Sequence, residues 1–251
     1  MSTKARFGSQ DYDSQWALLG DFIRYNPGAR HRRRLVRNAV ERLAVDRDRL
    51  DILDVGCGPG ELYLTLRELQ TPIRYHGLDL SAAAIQSARK HHADARWTVH
   101  DLFDGALDEQ HDIVICSEVT EHVSDPALAI ETIAAMTRPG GHLVLTTPSG
   151  KIHRTERAVG HVHHPERQEL RRWLRDAGFE VQEIHQWGWP AYTALKYAGD
   201  LAPGAVIDHL GDGTYGRFAR LTNSVAYGVT AVGSFPTCPW GPQFVTVSRR
   251  S

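Results

Sequence analysis

The sequence is poor in the features that mark secreted and membrane-spanning proteins. It has only three cysteines in 251 residues, Cys57, Cys116 and Cys238, which lie far apart and form no CxxC pair. This pattern predicts neither a disulfide framework nor a cysteine-type zinc site, and it is typical of a protein of the reducing cytoplasm. No apolar run approaches the ~20 residues that span a bilayer. The polar N-terminal residues lack the apolar core of a signal peptide, so we expect a cytoplasmic protein with no membrane partner.

An excess of charge of either sign is also missing. The sequence has 29 Lys and Arg residues against 30 Asp and Glu residues, which gives a formal net charge of −1. Because nucleic-acid-binding domains usually carry a basic surface, this balance disfavours a nucleic-acid partner. The hydrophobic share of 41% and the charged share of 24% are ordinary for a globular chain. The length predicts one large domain, or one domain with an embellishment.

Short apolar segments alternate with helical segments from residue 51 onward. Helical patterns lie between most of the predicted strands, as in the segment that begins with Ser81 as a helix N-cap. The alternation predicts an α/β fold with a doubly wound, mostly parallel sheet of seven strands. The predicted strands are 51–55, 74–80, 96–99, 111–116, 141–146, 179–187 and 243–249.

Three regions follow from this pattern. Residues 1–50 contain a short apolar segment and an amphipathic helix after an Asn-Pro-Gly turn, and they predict an N-terminal helical cap. Residues 51–187 and 243–251 form the predicted core. Residues 188–242 connect the last two strands, are rich in aromatic residues and contain two predicted helices, near 192–199 and 218–232. Since a connection this long usually carries structure or function, we expect it to cover the substrate.

The first predicted strand ends in a glycine-rich turn, Asp54-Val55-Gly56-Cys57-Gly58-Pro59-Gly60. Glycines there let the backbone approach a ligand, and open α/β sheets bind nucleotide-like ligands at the carboxyl ends of their strands. The third glycine comes too early for the GxGxxG dinucleotide fingerprint, and Pro59 lacks the N–H that a pyrophosphate would need. A glycine-rich turn without a ligand is the alternative.

Acidic residues end the second and third predicted strands. Asp79 can hold both hydroxyls of a ribose by charge-assisted hydrogen bonds. Asp101 can accept from an adenine amino group, with Leu102 or Phe103 against the ring. Either acid alone is equally typical of a helix cap or a solvated loop. Three acidic strand ends in register with a glycine turn favour a nucleoside ligand.

Together these segments resemble the class I S-adenosylmethionine-dependent methyltransferases. The matching segments are LDVGCGPG, LDLS, HDLF, DIVICSEVTEHV and RPGGHLVLTTP, over about residues 45–187 and the last strand. The resemblance implies a Rossmann-like sheet whose seventh strand runs antiparallel beside the fifth, and S-adenosylmethionine as cofactor. It implies that the glycines line the methionine part, that Asp79 holds the ribose and that Asp54 orders the turn. The implied cofactor-binding residues are Asp54, Gly56, Cys57, Gly58, Gly60, Asp79, Leu80, Asp101, Leu102 and Ser117.

The segment after the fourth strand, Ser117-Glu118-Val119-Thr120-Glu121-His122, carries an ExxEH motif. It resembles the ubiquinone-biosynthesis O-methyltransferases, whose motif is ascribed to a divalent metal that helps ionise a phenolic hydroxyl. It also resembles the small-RNA 3′-terminal 2′-O-methyltransferases, which add a histidine downstream. The implied metal ligands are Glu118, Glu121, His122 and His161. The alternative is a metal-free site in which His122 and Glu121 are catalytic, with His122 as general base, or form its wall.

The resemblance to the ubiquinone-type enzymes extends to Asn26-Pro27-Gly28-Ala29-Arg30. This segment is one residue longer than the family's Asn-Pro-x-Arg, and it implies that Arg30 reaches the cofactor region. The rest of the basic run 30–34 is predicted as a solvated helix face.

Three functions stay open at this point. The first is a methyltransferase that acts on oxygen or nitrogen of a small molecule in a biosynthetic pathway. The second is a metal-dependent RNA 3′-terminal 2′-O-methyltransferase, which the balanced charge disfavours. The third is a cofactor-binding protein without transferase activity.

Overall fold

The computed structural model describes residues 12–204, 206, 214–235 and 238–251. Its strands form a single seven-stranded sheet. They are β1 (Leu50–Val55), β2 (Ile73–Asp79), β3 (Arg96–Val99), β4 (His111–Ser117), β5 (Thr137–Pro148), β6 (Phe179–Trp187) and β7 (Gln243–Arg250).

Nine helices are described around the sheet, together with a 3₁₀ turn at Leu102–Asp104. They are α1 (Tyr12–Tyr25), α2 (Pro27–Leu43), α3 (Glu61–Leu66), α4 (Ala82–His91), α5 (Pro126–Ala135), α6 (Arg154–Ala158), α7 (Arg167–Asp176), α8 (Ala191–Leu201) and α9 (Arg217–Gly233). None of these described helices is long and apolar enough to cross a membrane.

The strand order is β3-β2-β1-β4-β5-β7-β6. Strands β1 to β5 pair in parallel, and β7 runs antiparallel to both β5 and β6. The predicted α/β class and the antiparallel last strand are therefore confirmed. The order reverses direction between β1 and β4, and such a switch point opens a crevice at the carboxyl ends of the strands.

The sheet is buried on both faces, which is why its central strands are nearly all apolar. Successive side chains of β1 alternate between two cores. Ile52 packs with α2, α3 and α4, whereas Leu53 packs with α5 and α7, and both are fully buried. The helices on the two faces thus cover the sheet and leave its carboxyl edge for the site.

Local signals explain where two helices begin. The side chain of Asn26 accepts a hydrogen bond of 2.9 Å from the N–H of Ala29 and caps α2. Ser81 caps α4 in the same way through the N–H of Ala84, as the sequence predicted.

Some boundaries differ from the prediction. Strand β5 begins at Thr137, four residues before the predicted start at residue 141, and it includes Pro139 and Gly140. Thr137 pairs with His111 of β4, and this pairing extends β5 toward its N-terminal end. The tertiary contact therefore overrides the tendency of proline and glycine to end a strand. The apolar part of the N-terminal segment forms α1, while residues 1–11 lie outside the described residues. The two helices predicted in 188–242 match α8 and α9.

Candidate functional site

The glycine turn joins β1 to α3 and has a left-handed backbone. Gly58 has φ +54° and Gly60, at the N-cap of α3, has φ +90°. A Cβ atom on Gly58 would lie 2.5 Å from Cη2 of Trp16. Glycine at position 58 is therefore required by the backbone and by the close approach of the Trp16 ring.

The N–H groups of the turn are already used within the fold. Pro59 has none, and the other four in residues 56–60 each find an acceptor. The carbonyl of Leu78 accepts the first two at 2.8 and 2.9 Å, a carboxylate oxygen of Asp79 the third at 2.8 Å, and the carbonyl of Cys57 the last at 3.2 Å. A phosphate cradle needs free N–H donors, so this turn suits a ligand that meets carbonyl oxygens and Cα atoms instead.

Asp79 links the turn to the end of β2, as the prediction of a shared site requires. One carboxylate oxygen accepts from the N–H of Gly58, and the other accepts from the N–H of Ser81 at 2.8 Å. Burial raises the pKa of Asp79, and the two N–H groups partly oppose that rise. Each oxygen keeps a second lone pair, which suits a pair of ligand hydroxyls.

Two predicted cofactor residues of the turn point their side chains into the protein. Asp54 is 2% exposed and accepts a hydrogen bond from the hydroxyl of Tyr75. Burial raises the pKa of Asp54 to about 7. The side chain of Cys57 packs in the apolar core. Asp54 therefore supports the turn from inside the sheet, and Cys57 offers a ligand only its backbone.

The end of β3 is more open. Asp101 accepts a hydrogen bond of 2.9 Å from the N–H of Phe103 and so begins the 3₁₀ turn. Leu102 is buried at 8% exposure, whereas Phe103 is 44% and Leu80 48% exposed. The apolar surface available to a ring at this edge thus comes from Leu80 and Phe103 more than from Leu102.

The segment after β4 lies beside the glycine turn. The side chain of Val119 occupies the space that a Cβ on Gly56 would need. The hydroxyl of Ser117 is 2.9 Å from that of Thr146, which anchors the end of β4 to β5. The predicted cofactor and catalytic segments are therefore neighbours.

Glu118 is held by an arginine of α2. Its carboxylate lies 3.2 Å from Nη1 of Arg32 and accepts from the hydroxyl of Thr146 at 3.2 Å. Both side chains of the ion pair are mostly buried, at 18% for Arg32 and 16% for Glu118. Glu118 also has φ +60°, which is uncommon for a residue with a Cβ.

Three of the four predicted metal ligands come together. One ligand atom each from Glu121, His122 and His161 lies within 4.8 Å of the others. Glu121 is fully buried, and its Oε1 has no hydrogen-bond partner among the residues that the structure describes. The donor set of one carboxylate and two imidazoles fits a divalent transition metal. Glu118 lies outside this group and is paired with Arg32.

The protonation of this cluster follows from its burial. Burial raises the pKa of Glu121 well above its usual range, with the nearby Glu118 adding to the effect. Burial lowers the pKa of His122, and it lowers that of His161 to about 2. Nδ1 of His161 is 2.9 Å from Nε2 of His164, which orients the His161 ring. Both imidazoles of the cluster are therefore in the neutral form that can bind a metal.

Arg30, expected to reach the cofactor region, contacts α9. Its guanidinium lies 4.1 Å from the ring centre of Tyr227, and it donates to the hydroxyl of Ser224 at 3.4 Å. Two residues along a helix are separated by about 200°, so Arg30 and Arg32 leave α2 in nearly opposite directions. Sequence reasoning passed over Arg32 because a run of arginines gives no sign of which one faces the site.

Helix α1, which belongs to the predicted N-terminal helical cap, lies against the glycine turn through Trp16. Asp13 accepts from the hydroxyl of Ser81 at 2.5 Å and from the N–H of Ala83 at 3.0 Å. These bonds tie the start of α1 to α4 and place Trp16 on the glycine turn. No motif marks Asp13 or Trp16.

The connection before β7 packs against α2. Tyr192 fills the space that a side chain at Gly28 would need, and its ring stacks on Trp187 with centres 5.0 Å apart. Lys196, one turn further along α8, lies 2.6 Å from Glu156. Of the aromatic residues in this connection, Phe218 and Trp240 are 79% and 71% exposed.

Comparisons with known proteins agree with this geometry. The sequence profile of a family described as a methyltransferase domain matches residues 29–184. A ubiquinone biosynthesis O-methyltransferase of Pseudomonas paraeruginosa is 31% identical over 158 residues, which are 53% of this chain and 66% of that protein. Another of the same name, from Alkalilimnicola ehrlichii, is 38% identical over 103 residues, 38% of this chain and 40% of that protein. The chain therefore spans less than two thirds of the length of either relative.

A solved structure supports the fold assignment. The [4+2]-cyclase SpnF is 20% identical and superposes with a TM-score of 0.60 over 86% of this chain and 80% of that one. At this level of identity the likeness establishes the fold alone. Because the family match covers more than half of the sequence, the chain belongs to the methyltransferase domain family, and it has the fold of the class I S-adenosylmethionine-dependent methyltransferases.

Proposed function

We propose that this protein transfers the methyl group of S-adenosylmethionine to an oxygen or nitrogen atom of a small molecule. The observation that carries the proposal is the pairing of Asp79 with a glycine turn whose N–H groups are all used. This arrangement disfavours a phosphate group. It favours a ligand that carries a nucleoside at one end and an amino acid at the other. The positive ammonium of that amino acid suits the carbonyl oxygens of the turn.

The described residues supply the parts of such a site. Asp79 would accept from the ribose hydroxyls with its remaining lone pairs, while Leu80 and Phe103 would contact the adenine beside Asp101. The closeness of Val119 to Gly56 brings the segment that carries His122 to the methionine end of the cofactor. The bound cofactor would supply a methyl group already activated on its sulfonium.

His122 is the proposed catalytic base. The oxygen or nitrogen of the methyl acceptor forms a bond to the methyl carbon while the bond between that carbon and sulfur breaks. A neutral imidazole can take the proton that the acceptor atom loses in this step. Burial keeps the pKa of His122 low and the ring neutral. The chain's own contribution is then orientation of the two reactants and removal of one proton.

A divalent metal is a finer proposal about the same site. The observation that favours it is the buried Oε1 of Glu121, which lies with His122 and His161 and has no described partner. When bound there, the metal would supply a Lewis acid that lowers the pKa of an acceptor hydroxyl. Glu118 has no part in this proposal, because Arg32 holds it.

The names of two relatives suggest which class of methyl acceptor to test first. Two proteins similar to this chain are named ubiquinone biosynthesis O-methyltransferases. A hydroxyl on an aromatic ring is therefore the first acceptor to test. We further propose that residues 188–242 cover the acceptor, since Tyr192 of α8 packs against Gly28 of α2 and Lys196 of α8 pairs with Glu156.

The test begins with cofactor binding. Calorimetry with S-adenosylmethionine should show binding that weakens by ~30–150-fold in Asp79→Ala, which corresponds to about 2–3 kcal/mol. Asp104→Asn, which removes an exposed charge from the same edge of the sheet, serves as the matched control. Unchanged affinity in Asp79→Ala would contradict the proposal that Asp79 binds the ribose of the cofactor.

Turnover is measured separately with labelled S-adenosylmethionine, a panel of phenols and amines, and a short RNA. Methylated phenol or amine supports the proposal, and methylation of the RNA terminus alone would contradict it. Cofactor binding with no product across the panel would favour a binding or non-transferase role, because SpnF, described as a cyclase, shares this fold.

A further inference from the structure

A second cleft opens at the amino-terminal end of the sheet, opposite the glycine turn. Its volume is about 700 Å³, and the first residues of β2, β3 and β4 line it. Because parallel strands place all their amino ends at one edge, this cleft is separate from the candidate methyl-transfer site. Nothing in the proposed function uses it.

Two buried histidines face each other across this cleft. His76 of β2 and His111 of β4 are 3% and 4% exposed, and their ring centres are 5.9 Å apart. Nε2 of His76 is 2.9 Å from the hydroxyl of Thr98, which fixes the ring. Nδ1 of each histidine has no hydrogen-bond partner among the described residues. A buried nitrogen without a hydrogen-bond partner lowers the stability of a fold, and a ligand that binds these two nitrogens would remove that cost.

A carboxylate completes the group. One ligand atom each from His76, Glu109 and His111 lies within 4.8 Å of the others. Glu109 is the exposed member, with its side chain 53% exposed, and it lines the cleft together with the two histidines.

We propose that His76, Glu109 and His111 bind a divalent transition-metal ion at this cleft. Two imidazoles and one carboxylate are a donor set that zinc, nickel and copper prefer over magnesium and calcium. Burial lowers the pKa of His76 to about 4 and also lowers that of His111. Both rings are therefore in the neutral form that coordinates a metal.

The charges around the cleft are compatible with a cation. Arg96 donates to both oxygens of Glu109 at 2.7 Å. The two side chains are 57% and 53% exposed, so breaking this ion pair to let Glu109 bind a metal costs little free energy. Arg74 and Arg138 are engaged by Asp51, which lies 2.7 Å from one and 2.9 Å from the other. Three of the four arginines that line the cleft are therefore paired with carboxylates, which offsets much of their positive charge, and Arg49 is the fourth.

The ion would join two strands that do not touch. Strand β1 lies between β2 and β4 in the sheet, so a metal held by His76 and His111 spans it. A ligand that binds only the folded state stabilises it by RT ln(1 + L/Kd), where L is the free ligand concentration, so the melting temperature rises as that concentration exceeds Kd. Zinc binding should therefore stabilise the sheet measurably.

The experiment must separate this site from the cluster of Glu121, His122 and His161. We would titrate zinc chloride and nickel chloride, by calorimetry and by thermal melting, into a His122→Ala/His161→Ala double variant. One equivalent of metal should still bind and raise the melting temperature. Loss of all binding in this background would overturn the proposal.

Variants in the cleft then identify the ligands. In the same background, His111→Gln should abolish binding, and Glu109→Gln should weaken it by about 10–100-fold. Asp108→Asn, an exposed neighbour of Glu109, is the control and should leave binding unchanged. If His111→Gln fails to fold, Glu109→Gln decides. Weak binding that neither variant alters would mean adventitious metal on surface histidines and would also overturn the proposal.

The outcome is independent of the proposed methyl transfer. Affinity for S-adenosylmethionine, measured in Glu109→Gln, should equal that of the wild type. If no metal binds at the cleft, the methyltransferase proposal is unaffected. If the protein transfers no methyl group, the proposal of a metal site at the cleft is unaffected.

Discussion

Arg32 of α2 forms an ion pair of 3.2 Å with Glu118, the first acidic residue of the ExxEH motif. The pair crosses from the N-terminal helical region to the end of β4. It occupies Glu118, which the resemblance to metal-linked enzymes had implied as a ligand, and leaves Glu121, His122 and His161 as the remaining group. A contact between distant residues thus changes the interpretation of a motif.

Removing the arginine tests the importance of this pair. We expect Arg32→Gln to lower the free energy of unfolding by about 1–3 kcal/mol, because it leaves a mostly buried carboxylate without its cation. Arg30→Gln is the matched control and should cost less than about 1 kcal/mol, since its guanidinium contacts the uncharged side chains of Ser224 and Tyr227. Chemical denaturation of both variants measures the difference. The double variant Arg32→Gln/Glu118→Gln should recover part of the loss, and no recovery would show that the pair itself is unimportant.

The close contact between Trp16 and Gly58 leads to a second prediction. Gly58→Ala should destabilise the fold and weaken cofactor binding, because a Cβ there meets the Trp16 ring and the backbone has φ +54°. Gly150→Ala also creates strain, at φ +75°, but its Cβ would meet nothing within 4 Å. Strain alone should cost about 1–2 kcal/mol in either variant, so thermal melting should show an excess loss in Gly58→Ala. Adding Trp16→Ala should relieve that excess; if it does not, α1 does not pack on the turn.

His122 is tested first with the wild-type enzyme and a chelator. If activity survives, His122→Ala should lower kcat by ~10²–10⁴-fold with little change in cofactor affinity, as expected for loss of a base. If the chelator inhibits the wild type and Glu109→Gln alike, and a divalent metal restores activity to both, His122 and His161 are ligands. His163→Ala, from the same histidine-rich loop but paired with Glu169, is the control. A chelator-resistant enzyme with a fully active His122→Ala variant would mean that His122 is only part of the wall.

Asp54 should give the fold a dependence on pH. Its folded-state pKa of about 7 lies above the ordinary value of 3.8, so the folded state holds a proton that the unfolded state releases. The stability of the wild type should therefore fall, relative to Asp54→Asn, as pH rises from about 4 through 7, by on the order of 4 kcal/mol. Denaturation curves of the cofactor-free proteins at several pH values measure this difference. Parallel profiles for the two proteins would contradict the raised pKa.

Much of the architecture follows from local patterns. The strands alternate with helices at spacings that predict a doubly wound sheet, and the order found agrees with that class. The caps at Asn26 and Ser81 act within three residues of the chain, so the sequence specifies them directly. The start of β5 was misjudged, because pairing with β4 carries the strand through residues that usually end one.

Local patterns in the sequence specify the glycine turn, the acidic ends of β2 and β3, and their common edge. These features depend on strand direction and on residues close to strand ends, which local periodicity reveals. Tertiary packing, in contrast, pairs Arg32 rather than Arg30 with Glu118, places Trp16 on Gly58, and brings His76 to His111 across β1. Each of those contacts joins segments far apart in the chain, and their rotation and packing are set by the assembled core, which no local pattern encodes.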